Sequence, residues 1–148
     1  MGFLAKSLLS VLCFTALSAA QVNCPAVDAQ SPIPTALVSS PRIRVQLHPP
    51  FANGILAVPN RIEVLAKESM RPLKVELWAG PTGTDVAGSY CRISSDEHGV
   101  RTGLYKKFTF KIADCTRVSG GRLEARVYVA HRTNPYSVYV GPFECKTE

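Results

Sequence analysis

Tryptophan occurs once in this chain of 148 residues, histidine three times and methionine twice. The three histidines, His48, His98 and His131, are scattered, and no Gly-x-Ser-x-Gly element is present, so a nucleophile elbow with a nearby base is excluded. No two of the five cysteines lie two to four residues apart, and none has a neighbouring histidine, which argues against a zinc site. Asp96-Glu97-His98 is the nearest approach to a ligand cluster. Consecutive side chains in an extended loop diverge, however, so a solvated loop is the expectation there. No Asn-x-Ser/Thr acceptor occurs, and no window after the first twenty residues repeats apolar side chains at helical spacing over three turns. The eleven acids offer no pair that can be assigned to opposite sides of a cleft. No catalytic residue, metal ligand or cofactor is therefore expected.

What is present begins with an address. Lys6, the apolar run Leu8 to Leu17 and the small residues Ser18-Ala19-Ala20 read as a signal peptide over residues 1–20. The run is short for a bilayer core of about 30 Å. Cleavage after Ala20 leaves about 128 residues beginning at Gln21 and removes Cys13, one of the five cysteines. Cys24, Cys91, Cys115 and Cys145 remain, an even number that reads as two disulfides in an oxidising compartment. The expected location is secreted and extracellular, with no transmembrane segment.

Residues 21–41 carry prolines at 25, 32, 34 and 41, which oppose helix and central strand and predict an extended leader. From residue 42 to 148 the hydrophobic period is two. Ile43, Val45 and Leu47 alternate with polar residues, as do Ile62, Val64 and Ala66, then Val75, Leu77 and Ala79. After a weaker strand at Val86 to Ile93 and a polar loop at Ser94 to Gly103, alternation resumes. It runs through Phe108 to Ile112, Leu123 to Val129 and Tyr136 to Val140. Ile55 to Val58 reads as a kinked continuation of the first strand past Asn53-Gly54. About seven strands in one domain predict an all-β, antiparallel β-sandwich.

Two stretches carry a resemblance. Pro49-Pro50-Phe51-Ala52-Asn53-Gly54, followed by Val58 to Ala66 and by Val75-Glu76-Leu77-Trp78, resembles the opening strands of immunoglobulin-like modules of secreted and cell-surface proteins. Gly120 to Val129 resembles their late strand after a glycine turn. The likeness implies an immunoglobulin-like sandwich over about Arg42 to Phe143. Trp78 precedes Cys91, Cys115 and Cys145, so the Cys–Trp–Cys spacing of antibody domains is absent. By its format of signal, short mature chain and paired cysteines, the protein also resembles the small secreted effector-like proteins of fungi.

Strand alternation places Cys115 and Cys145 at one end of the sandwich and Cys91 at the other, beside the leader bearing Cys24. Disulfide partners need Cα atoms within about 7 Å, which favours Cys115–Cys145 and Cys24–Cys91.

The chain carries 17 Lys plus Arg against 11 Asp plus Glu. Nine of the basic residues but only four acids lie between Arg92 and Arg132. Strand parity points Lys107, Lys111 and Arg126 outward, with Tyr128 beside Arg126 and Trp78 on an outward position of its own strand. These five form the candidate binding face, suited to an extracellular protein or an anionic glycan surface. The same charges would also serve a plain solvated face, and a covered strand would bury Trp78. The secreted address argues against nucleic acid. The expected function is non-catalytic binding, effector-like recognition of a host, cell-wall or other extracellular surface component. The alternatives are an enzyme acting on polysaccharide or nucleic acid through an unrecognised motif, or an inhibitor or structural wall protein.

Overall fold

A computed structural model describes residues 30–32, 40–80, 89–118 and 121–148. The expected signal segment, most of the leader, Cys13 and Cys24 lie outside these residues. In chain order the strands are β1 (Gln30–Pro32), β2 (Ile43–His48), β3 (Ile55–Val58), β4 (Asn60–Lys67), β5 (Pro72–Gly80) and β6 (Ser89–Asp96). They continue as β7 (Val100–Thr102), β8 (Tyr105–Ile112), β9 (Arg122–Val129), β10 (Tyr136–Val140) and β11 (Glu144–Thr147). The described chain is all-β, its one helical element being a 3-10 turn at Glu68–Met70. None of its helices is long and apolar enough to cross a membrane.

A five-stranded sheet has the order β1-β6-β5-β9-β10 and a four-stranded sheet the order β2-β4-β8-β7, both antiparallel throughout. The two share one core because each presents one apolar face to it. Ile62, Val64, Phe108 and Phe110 come from the four-stranded sheet, and Val75, Leu77, Leu123 and Val127 from the five-stranded sheet. Each such side chain contributes about 1.5–3 kcal/mol on leaving water. The period-two apolar positions of β4, β8 and β9 all point into this core.

The strand inventory departs from the expected seven at four places. Gln30–Pro32, inside the expected leader, is an edge strand, the position where a proline is tolerated in a sheet. The expected polar loop after Ile93 is strand as far as Asp96 and again at Val100–Thr102. Gly103, at φ 61, makes the tight connection from β7 into β8. Ile55–Val58 does not continue β2. Asn53 and Gly54 both take positive φ (55 and 71), and the Ile55 N–H donates to the Ala52 carbonyl at 3.0 Å, closing a two-residue reversal. β3 then pairs in parallel with β11, a strand in the tail that sequence alternation does not mark. Two parallel partners far apart in the chain are invisible to a local pattern.

One disulfide joins described residues. Cys115 and Cys145 are linked with Cα atoms 5.8 Å apart, tying the loop after β8 to β11. Cys91 is disulfide-bonded as well, to a partner outside the described residues.

Candidate functional site

The five candidate residues do not form one face. Lys107 and Lys111 stand on β8 of the four-stranded sheet, whereas Trp78 is on β5 and Arg126 and Tyr128 on β9 of the five-stranded sheet. Both sheets turn their apolar faces to the shared core, so their polar faces look in opposite directions.

On the five-stranded sheet, cross-strand pairing sets Lys74 opposite Tyr128, Glu76 opposite Arg126 and Trp78 opposite Glu124. A register shift between Leu77 and Trp78 brings Arg92 opposite the indole. The Glu76 carboxylate accepts from the Tyr128 hydroxyl at 2.7 Å, Arg92 Nη1 at 2.9 Å and Trp78 Nε1 at 3.3 Å. Glu124, fully buried, accepts from the Tyr139 hydroxyl at 2.7 Å and from Arg126 Nε. Burial pulls the Glu76 carboxyl upward, but the bonds from Tyr128, Arg92 and Trp78 outweigh it and hold the pKa below its ordinary value. Burial first, and then the bond to Glu76, push the Tyr128 hydroxyl up to about 12. Tyr139 moves the same way, through burial and Glu124.

This face is a closed polar layer rather than an open platform. Lys74, Arg92 and Arg126 lie on its own carboxylates, Arg122 lies over the Tyr139 ring, and Trp78 is 4% exposed. General acid work calls for a carboxyl of raised pKa, and Glu76 is shifted the other way.

The outer face of the four-stranded sheet has the opposite character. Register aligns Arg44, Leu65, Lys107 and Val100 in one row across β2, β4, β8 and β7. Gln46, Glu63 and Thr109 form the next row, and His48, Arg61 and Lys111 the one beyond. Lys67 and Tyr105 pair on the other side, with the Arg44 guanidinium 5.4 Å from the Tyr105 ring centre. Arg44, Arg61, Lys67, Lys107 and Lys111 thus share this face with a single acid, Glu63. His48 Nε2 lies 2.7 Å and Lys107 Nζ 3.2 Å from the Glu63 carboxylate. Burial raises the Glu63 pKa, and the bonds from Lys107 and His48 lower it further than burial raises it.

Arg44, Arg61, Lys67 and His48 are absent from the sequence-derived candidates. Their signal was present as outward positions on alternating strands. What was missing was the strand order that places β2 and β4 beside β8.

Beside the His48–Arg61–Lys111 row lies an open groove of about 390 Å³, walled in part by Pro59 and Ile112 and reaching Asn60. The Asp96-Glu97-His98 stretch assembles no ligand set. Asp96 accepts from the backbone N–H groups of His98 at 2.8 Å and Thr109 at 3.1 Å, stabilising the β6–β7 connection and the edge of β8. Among the described residues no three His, Cys, Asp or Glu side chains gather as metal ligands would.

No protein-family model, no curated protein and no solved structure matches the chain.

Proposed function

We propose that the protein is a secreted, non-catalytic binding module with an immunoglobulin-like sandwich, which docks on an anionic extracellular surface through the outer face of its four-stranded sheet. The carrying observation is the five cations and one acid on that face, with Glu63 already engaged by His48 and Lys107. A flat field of one sign raises the local concentration of an oppositely charged polymer and accelerates encounter. An anionic glycan is the extracellular partner that fits this charge.

Sequence supports the rest. The N-terminal twenty residues read as a signal, and the leader touches the fold where Gln30 pairs with Cys91. Cys24, six residues before Gln30, is the proposed disulfide partner of Cys91.

The test is retention on immobilised acidic polysaccharide at two salt concentrations, using wild type and the Arg44→Glu/Lys67→Glu double variant. Retention should weaken steeply with salt, because exposed charges are screened over about 8–10 Å at 0.1–0.15 M. The double variant should lose retention while its melting temperature stays close to wild type. Salt-independent retention, or none to any polyanion, would sink the reading.

A further inference from the structure

The groove at one end of the basic face supports a sharper inference, which rests on the binding reading above. Arg61 and Lys111 stand directly opposite each other across β4 and β8, with His48 beyond Arg61 on β2. Like charges set directly opposite on neighbouring strands repel. Glu63, in the next row, binds His48 and Lys107 and acts at longer range on Arg61. Among the described residues neither Arg61 nor Lys111 forms an ion pair. An anion bound beside them would relieve the repulsion between these two cations.

The groove beside the row adds a second requirement. Asn60, 4% exposed, lines it. The Asn60 Nδ2 donates to the carbonyl oxygens of Pro49 and Ala57, each at 3.0 Å. Carbonyl partners accept from the amide nitrogen alone, so the orientation of the amide is assigned by its network. The Oδ1 then finds no donor, an unfavourable state for a buried acceptor. That oxygen has no exposed surface, so the amide braces the floor of the groove and is not itself offered to a ligand. Pro59 and Ile112 supply an apolar wall, and the volume of about 390 Å³ falls within the usual range for small-ligand clefts.

An anion for Arg61 and Lys111 and an apolar ring face for Pro59 are together met by a pyranose bearing a carboxylate or a sulfate. Inorganic phosphate or sulfate meets only the first requirement, and a neutral sugar only the second. We propose that this groove is a subsite for one acidic sugar ring of an anionic glycan, with Arg61 and Lys111 holding its charged group.

Titration of the full chain with a short uronic-acid oligosaccharide, a sulfated disaccharide, a neutral oligosaccharide and sodium sulfate tests this, followed by amide NMR shifts and calorimetry. At least one acidic sugar should bind saturably at one site, tenfold or more tighter than the neutral sugar or free sulfate, with shifts centred on Asn60, Arg61 and Lys111. The arm that binds tells carboxylate from sulfate. Lys111→Glu, at an exposed position that leaves the fold intact, should weaken the short ligand at least tenfold. Arg44→Glu/Lys67→Glu should leave it nearly unchanged while weakening the polymer. Acidic sugars that bind no better than sulfate, or shifts centred elsewhere, would overturn the subsite. If the polymer still binds in that case, the broader face reading stands; if the polymer fails too, both fall.

Discussion

The guanidinium carbon of Arg126 lies 3.9 Å from the centre of the Trp78 ring, so the residue that looks like a docking cation is instead the cover of the one tryptophan. Cation and indole attract through the ring quadrupole, and the attraction strengthens as water is excluded. Arg126 also bonds the fully buried Glu124. Arg126→Ala should therefore leave a buried carboxylate without this partner, a loss of about 3–5 kcal/mol. The emission of Trp78 should shift to the red as its cover goes. Denaturant titration followed by tryptophan fluorescence reads both effects, and an unchanged midpoint with unchanged emission would refute this account of Arg126.

Acid should destabilise the protein through Glu76 and Glu63. Both carboxyls are held below their ordinary value of 4.5, by donors that burial does not cancel. On acidification the unfolded chain takes up protons first, so stability falls as pH drops from about 4.5 through the folded values. Glu76→Gln should flatten that fall. The measurement is chemical denaturation at a series of pH values, with wild type expected to lose stability more steeply than the variant.

At the alkaline end the sign reverses. Tyr128 titrates near 12 in the folded protein against 10.0 ordinarily, and Tyr139 is raised as well. Above pH 10 the unfolded chain releases these protons first, so stability falls between about 10 and 12. Tyr128→Phe should reduce the fall and, at neutral pH, remove one donor from Glu76. Absorbance titration should show at least two tyrosines still protonated where ordinary phenols have ionised.

Gly80 ends β5 where a side chain has no room. A Cβ there would come within 2.5 Å of the ring of Tyr90, itself fully buried. Gly80→Ala should cost about 1–3 kcal/mol through overpacking, seen as a lower melting temperature. Gly54→Ala is the informative contrast. Nothing lies within 4 Å of a Cβ at Gly54, and any loss there reflects its positive φ alone.

The alternation of Ile62, Val64 and Ala66, of Phe108, Phe110 and Ile112, and of Leu123 to Val129 was legible in the sequence because strand periodicity is local. The side of its strand on which each residue stands follows from the residues beside it. Lys107, Lys111, Arg126 and Tyr128 were accordingly given the right parity. Trp78 also stands on the outward side of β5, yet it is buried because Arg126 covers it.

Which strands are neighbours was decided only by the tertiary structure. The order β2-β4-β8 joins Arg44, Arg61 and Lys67 to Lys107 and Lys111, and the order β5-β9 takes Arg126 and Tyr128 to the far side of the molecule. The parallel pairing of β3 with β11 links residues almost ninety positions apart. Hydrogen bonding between strands is blind to the distance between them along the chain. Parity could therefore be read residue by residue, whereas the composition of the charged face depended on how separate strands met across the sheet.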